Sequence, residues 1–183
     1  MKKNFYSNYF GVIEKLLKNI DQFKLNRLEK LILSTKKKKA KILIFGNGGS
    51  AATASHFAVD MTKNGGIKTL TLNEYDLITC FANDFGYENW IQKSIEYYYD
   101  KNDLVIFLSC SGNSENIVRG CKYAKKIGLK TVTLTGFDKK NKTNLIKSDL
   151  NIWINNKVYN IVEIVHFSIL LSVIDKIITS KLK

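Results

Sequence analysis

The stretch KILIFGNGGSAATASHFAVD, residues 41–60, decides the fold. Residues 41–45 form a short apolar run typical of a buried β-strand, and Gly46–Ser50, called here the glycine turn, consists of small residues. Residues 50–63 then have the composition of a helix. A strand that passes through a glycine-rich turn directly into a helix begins a βαβ unit, so this stretch predicts an α/β fold with a parallel sheet.

The same alternation continues outward to both ends of the chain. The predicted strands are residues 41–45, 67–72, 103–109, 130–135 and 150–154. The predicted helices are residues 4–22, 25–35, 50–63, 75–83, 87–99, 114–128 and 157–181, with Ser114 as an N-cap and Gly128 as a stop. We therefore expect a doubly wound, three-layer α/β sandwich with a parallel sheet of about five strands, preceded by N-terminal helices.

The composition is that of one globular domain. The 183 residues are 45% apolar and 25% charged, which favours a single domain over residues 1–183, with residues 1–36 as a helical extension that takes part in oligomerisation. The helix 157–181 is apolar on nearly all sides, so we expect it to be buried under the sheet or between subunits. No apolar run has the length of a membrane span and no signal peptide is recognisable, so the expected compartment is the cytoplasm.

The basic residues and the cysteines argue against a nucleic-acid partner, a zinc ribbon and a disulfide framework. The net charge is +13, but only Arg27 and Arg119 among the 29 basic residues are arginines, the residue type that favours bidentate base and phosphate contacts. The densest run, Lys36–Lys39, is interpreted as a solvated loop, so a nucleic-acid partner is not expected. The three cysteines include no CxxC pair, which excludes a zinc ribbon and a disulfide framework.

A second turn resembles the glycine turn in position and chemistry. Ser109–Ser114, called here the serine turn, also follows an apolar strand and begins a helix. Both turns are expected at the carboxyl ends of parallel strands, where ligands bind, and amides and hydroxyls at a helix N-terminus suit a phosphate group. Neither turn contains GxxxxGK[ST] or GxGxxG, so a nucleotide site is disfavoured.

Four motifs in order resemble those of the sugar isomerase (SIS) domain family, in its phosphoheptose isomerase branch. They are GNGGSAATASHFAVDM (46–61), FANDFGYEN (81–89), SCSGNSENIV (109–118) and KTVTLTG (130–136). The resemblance covers essentially the whole chain. It implies aldose–ketose isomerisation of sedoheptulose 7-phosphate to D-glycero-D-manno-heptose 7-phosphate for lipopolysaccharide or capsule synthesis. It also implies a homotetramer with active sites shared between subunits.

The resemblance also implies a set of substrate-binding residues. The phosphate would be held by the serine turn, through Ser109, Cys110 (by its backbone), Ser111 and Ser114. The sugar would be lined by Asn47, Gly48, Gly49, Asn83 and Asp84. Ser50 of the glycine turn and Glu163 of the last helix are added as candidate substrate-binding residues from their own positions in the sequence. Cys110 stands where the family usually has Thr, a change that a backbone contact would tolerate.

The family's zinc and acid/base positions are altered in this chain. The family binds zinc through a His and a Glu four residues apart on the helix after the first turn, and through a Gln and a His eight apart on the last helix. These positions are His56, Asp60, Val162 and Leu170 here, so two of the four are apolar. Asp60 is the predicted catalytic base.

His166 lies midway between Val162 and Leu170, and it is either a core histidine of an apolar helix or a functional residue with two possible roles. It either completes a metal site with His56 and Asp60, zinc being possible, or acts without metal as the general acid, which is the favoured interpretation. The alternative to an enzyme is a non-catalytic SIS-domain protein that binds a phosphosugar or resembles a replication regulator.

Overall fold

Five parallel strands form the centre of the protein, whose computed structural model describes residues 4–179. They are β1 Ile42–Phe45, β2 Thr69–Leu70, β3 Leu104–Ser109, β4 Lys130–Thr135 and β5 Leu150–Trp153, in the sheet order β2-β1-β3-β4-β5. Every residue of β1 and β3 is buried. Their unbroken apolar composition fits this position, because helices cover both faces of a parallel sheet.

Seven helices surround the sheet in the described part of the chain. They are α1 Phe5–Lys18, α2 Gln22–Lys37, α3 Gly49–Asp60, α4 Tyr75–Phe85, α5 Trp90–Tyr98, α6 Glu115–Lys126 and α7 Tyr159–Thr179. Two separate apolar cores confirm the three-layer arrangement. Ile42 and Ile44 of β1 belong to the core on the side of α2, α3 and α7, whereas Leu43 and Phe45 belong to the core on the side of α5 and α6.

Some predicted bounds were wrong for local reasons. The helix predicted over residues 4–22 ends at Lys18, because Asp21 accepts a hydrogen bond from the Phe23 amide and begins α2. The strand predicted over 67–72 shortens to β2, an edge strand that pairs only with β1. Residues 180–181 of the predicted last helix lie outside the described residues.

The last helix is buried by the sheet and by other helices of the same chain. Nine residues of α7 are buried, including Val162, His166 and Leu170. By contrast, α1 has no buried residue and exposes Phe5 and Phe10. None of the helices within residues 4–179 combines the length and the apolar character that crossing a bilayer requires.

The sheet order determines where the two turns meet. Because β1 and β3 are neighbours and parallel, the glycine turn after β1 and the serine turn after β3 leave the same edge of the sheet side by side. The N-termini of α3 and α6 therefore flank one cleft.

Candidate functional site

A cleft of about 90 Å³ lies between the glycine turn and the serine turn. Its lining brings together seven of the predicted site residues: Asn47, Ser50, Ser109, Cys110, Ser111, Ser114 and Glu163. Leu108 and Tyr159 complete the lining. Tyr159 was not predicted, although it stands one helical turn before Glu163 and therefore lies on the same face of α7.

Two hydroxyl groups of the serine turn accept hydrogen bonds from backbone amides of the same turn. Ser109 Oγ accepts a hydrogen bond from the Gly112 amide (3.1 Å), and Ser111 Oγ accepts one from the Asn113 amide (3.2 Å). Both hydroxyls keep their own proton for a ligand. Ser114 occupies the N-cap position of α6, as predicted, but its side chain makes no capping hydrogen bond. The start of α6 therefore offers an uncommitted hydroxyl beside amides that have no intrahelical partner.

A pair of amides fixes the glycine turn against α6. Asn47 Nδ2 donates to Asn116 Oδ1 (3.0 Å), and Asn116 Nδ2 donates to Asn47 Oδ1 (2.9 Å). Asn116 is buried, and its Oδ1 also accepts from the Ile117 amide. Tyr87 donates its hydroxyl to Asn47 Oδ1 at 3.3 Å. Asn116 and Tyr87 thus orient a cleft residue, and sequence reasoning missed both because their partners are remote in sequence.

The Cys110 thiol is a neutral group at physiological pH. Burial and the negative charge of Glu163 raise the pKa of this thiol to about 11. Its Sγ lies 3.9 Å from both Ser50 Oγ and the Tyr159 carbonyl oxygen. Cys110 therefore lines the cleft as a weak donor and does not serve as a thiolate nucleophile.

Glu163 reaches the cleft from α7 and lies directly on the glycine turn. A Cβ atom placed on Gly49 would lie 2.6 Å from Glu163 Cδ and 2.7 Å from Glu163 Oε1. Such distances are below any real Cβ contact, so the carboxylate occupies the space that glycine leaves open at the first residue of α3. No lysine, arginine or histidine lines the cleft.

His166 is not among the residues that line the cleft and is almost completely buried. Its Nε2–H donates to the Thr135 carbonyl oxygen at 3.3 Å, and its Nδ1 is buried without a partner. Burial lowers the pKa of His166 to about 4. The hydrogen bond to Thr135 raises this pKa, but by less than burial lowers it. The imidazole is therefore neutral at pH 7. The stripe of Val162, His166 and Leu170 was expected to face the site, but Val162 packs on Gly136 after β4 and His166 on the end of β4.

His56 and Asp60 form a pair near the end of α3. His56 Nε2 lies 3.2 Å from Asp60 Oδ2, and the His56 ring packs edge-on against Phe167 of α7 with centroids 5.0 Å apart. Asp60 also accepts a hydrogen bond from Asn64 Nδ2 at 3.4 Å.

The residues present do not fit the zinc site of the family. Among residues 4–179 no group of three or more His, Cys, Asp and Glu side chains is arranged to hold a metal ion. Val162 and Leu170, at two of the family's ligand positions, are fully buried apolar side chains. The proposed set of His56, Asp60 and His166 therefore does not converge within the chain, and no step below depends on a metal.

Two further predicted residues are not among the residues that line the cleft. Asn83 and Asp84, near the end of α4, are exposed and hydrogen-bond each other (2.9 Å). Asp84 borders a shallow pocket with aromatic residues that include Phe81 and Tyr97. Gly48 lies beside the cleft and adopts a positive φ of 54°, a conformation that glycine accepts without strain.

Comparisons with known proteins agree with this geometry. The SIS domain family model matches residues 6–136. The chain is 37% identical over 144 residues to the phosphoheptose isomerase of Helicobacter pylori strain Shi470, an alignment that covers 75% of this chain and 74% of that protein. It is 36% identical over 146 residues to the phosphoheptose isomerase of Aliarcobacter butzleri, with 75% and 77% covered. The phosphoheptose isomerase structure from Neisseria gonorrhoeae superposes with a TM-score of 0.86 over 94% of both chains, at 25% identity.

Proposed function

We infer the activity from the family: the chain belongs to the SIS domain family, in its phosphoheptose isomerase branch. The protein is an isomerase that acts on a sugar phosphate. The substrate is sedoheptulose 7-phosphate and the product is D-glycero-D-manno-heptose 7-phosphate, an assignment that the phosphoheptose isomerase relatives support.

The serine turn is the observation that supports this assignment. Ser109, Ser111 and Ser114 line one side of the cleft, and Ser114 leaves its hydroxyl uncommitted at the start of α6. A helix N-terminus surrounded by hydroxyl groups binds a phosphate through neutral donors and the helix dipole. This arrangement suits a phosphate carried by a polar sugar, and we propose that the serine turn binds it.

The reaction requires a base that moves a proton between C1 and C2 of the open-chain sugar through an enediol. Two carboxylates are available for this role, Asp60 as predicted from the sequence and Glu163 in the cleft. We propose that the chain performs this step without a bound nucleotide and without a metal. The neutral His166 remains a candidate only for a hydrogen-bonding role.

We propose that a second copy of the chain completes the site. The exposed aromatic side chains of α1 support an assembly, and the homotetramer implied by the resemblance is the proposed one. In this assembly Asn83 and Asp84 would approach the cleft of a neighbouring subunit.

The proposed context is heptose synthesis for lipopolysaccharide or capsule, in the cytoplasm. A putative phosphosugar isomerase involved in capsule formation, from Bacteroides fragilis, has a similar fold with a TM-score of 0.75. The three cysteines are all free thiols in the described structure, which supports a reducing compartment.

Incubation of the purified protein with sedoheptulose 7-phosphate tests the activity, with the aldose product identified by NMR. We expect conversion by the wild type, weaker substrate binding by Ser111→Ala, and unchanged behaviour of Ser168→Ala, whose hydroxyl bonds only to Ile164 O on its own helix. Binding of the sugar phosphate without conversion would favour the phosphosugar-binding alternative. Tight DNA binding that survives moderate salt would favour a regulator.

A further inference from the structure

The loop between β4 and β5 packs directly on the serine turn. Thr143 of this loop is fully buried and donates both its amide and its hydroxyl to Gly112 O, at 2.9 and 2.8 Å. The Lys142 amide donates to Asn113 Oδ1 at 3.0 Å. Gly112 has a positive φ of 65°, and a Cβ atom added there would overlap the side chain of Asn141. Residues remote in sequence therefore hold this part of the serine turn in place.

Two asparagines fix Thr143 within the loop. Asn141 is buried, and its Oδ1 accepts a hydrogen bond from the Asn144 amide at 2.9 Å. Asn144 Oδ1 in turn accepts from the Thr135 hydroxyl and from Asn151 Nδ2, both at 2.7 Å. Because Thr135 belongs to β4 and Asn151 to β5, these bonds tie the loop to the sheet. Thr143 lies between the two asparagines in sequence and shares their fixed position.

The Gly112 carbonyl belongs to the same peptide group as the Asn113 amide. This peptide is trans, so its C=O and N–H bonds point in opposite directions within one plane. A donor that fixes the oxygen therefore also fixes the direction of the N–H bond. The Asn113 amide donates to Ser111 Oγ at 3.2 Å, and Ser111 lines the cleft. One peptide group thus connects the Thr143 hydroxyl to a predicted phosphate-binding hydroxyl.

We propose that Thr143 is a positioning residue for the phosphate of the substrate, which acts through the Gly112–Asn113 peptide on the hydroxyl of Ser111. This proposal rests on the proposed isomerase function and adds to its phosphate site a residue outside the cleft lining. Since Ser111 Oγ accepts from the Asn113 amide, its own proton is left to donate to a phosphate oxygen. Without the Thr143 hydroxyl the peptide is held less firmly, and Ser111 loses its fixed orientation.

Three substitutions isolate the hydroxyl of Thr143. Thr143→Val removes it and keeps the shape of the side chain, while the amide of residue 143 still donates to Gly112 O, so this carbonyl keeps a partner. Thr143→Ser retains the hydroxyl and removes only the methyl group. Thr35→Val is the matched control, because buried Thr35 also donates its hydroxyl to a backbone carbonyl, Leu31 O on its own helix (2.9 Å), and does not line the cleft.

Binding of sedoheptulose 7-phosphate to the full chain, measured by calorimetry, reports the phosphate site. We expect Thr143→Val to raise the Kd roughly three- to tenfold, the usual range for one lost hydrogen bond. Thr143→Ser should bind within about twofold of the wild type, and Thr35→Val should not change the Kd. In turnover assays Thr143→Val should raise KM and leave kcat unchanged, because the phosphate on C7 is remote from the reacting C1 and C2 and is held equally in the ground and transition states.

A double-mutant cycle separates this role from a general loosening of the loop. In the Ser111→Ala background, Thr143→Val should raise the Kd by less than about twofold, because the hydroxyl that Thr143 positions is already absent. An effect of Thr143 that does not pass through Ser111 predicts instead that the two losses multiply. If valine disturbs folding in urea unfolding, Thr143→Ser and Thr143→Ala, which differ only by the hydroxyl, provide the same comparison.

The outcomes distinguish the role of Thr143 from the isomerase function. Unchanged affinity of Thr143→Val, a loss confined to kcat, or losses that multiply in the double variant would overturn the positioning role. A wild type that binds the sugar phosphate without converting it would refute the isomerase function, whereas the cycle of Kd values would still decide the role of Thr143. A wild type that binds neither the sugar phosphate nor inorganic phosphate would overturn both, since the serine turn would then not be a phosphate site.

Discussion

The buried His166 should make the stability of the protein depend on pH. The pKa of this histidine is 6.5 in the unfolded state and about 4 in the folded state, so the dependence falls between these two pH values. Burial lowers its pKa because the charged ring is desolvated, and protonation would also place a hydrogen on Nδ1, which has no partner. The unfolded state therefore binds a proton that the folded state excludes. Stability is fully present above the unfolded pKa and decreases as the pH falls toward the folded pKa.

The magnitude follows from the two pKa values. One pKa unit corresponds to about 1.4 kcal/mol, so the full effect is about 3 kcal/mol. Between pH 7.5 and 5.5 the expected loss from His166 is about 1.3 kcal/mol. Urea unfolding of the wild type and of His166→Gln at these two pH values measures this loss as the difference between the two proteins. Glutamine is chosen because its amide can still donate to Thr135 O. His56→Gln, at the exposed histidine, is the matched control for removal of an imidazole.

The same pH dependence in the wild type and in His166→Gln would refute this reasoning. It would mean that His166 titrates equally in the folded and unfolded states. A general-acid role near neutral pH would then be open to it again.

Three other predictions concern stability, substrate affinity and assembly. Asp103→Ala should cost about 3–5 kcal/mol in urea unfolding, because the Lys41 and Asp100 amides lose their acceptor and Lys41 Nζ keeps only Asp100 as a partner; a loss below about 1 kcal/mol would contradict this. Asn116→Ala should weaken sedoheptulose 7-phosphate binding by roughly 1–3 kcal/mol in calorimetry, because two hydrogen bonds to the glycine turn are lost; unchanged affinity would exclude a positioning role. Light scattering should give a multiple of 20.9 kDa, and Phe10→Glu should reduce it, whereas a monomeric wild type would contradict the assembly.

The sheet and the serine turn were predictable because local sequence determines them. The apolar runs of β1 and β3 predict strands that are buried on both faces of the sheet. The turns after them contain the small residues that a strand-to-helix turn requires. The strand predicted over 67–72 was too long because its pairing is limited to two residues of β1. Such pairing at a sheet edge is a tertiary property.

The orientation of α7 could not be obtained from the sequence. Its apolar residues surround the helix, so periodicity does not indicate which stripe faces the sheet and which faces the cleft. Val162 packs on Gly136, and His166 packs on Thr135 O. The stripe of α7 that contains these two residues therefore faces the sheet. The stripe of Tyr159, Glu163 and Phe167 is thereby directed to α3 and the cleft.

A crystal structure of the protein with sedoheptulose 7-phosphate tests the central claim most directly. The phosphate should lie at the N-terminus of α6, with its oxygens within about 3.2 Å of the hydroxyl groups of Ser109, Ser111 and Ser114. A phosphate held by surface lysines outside the cleft, with the serine turn free of ligand, would contradict the account.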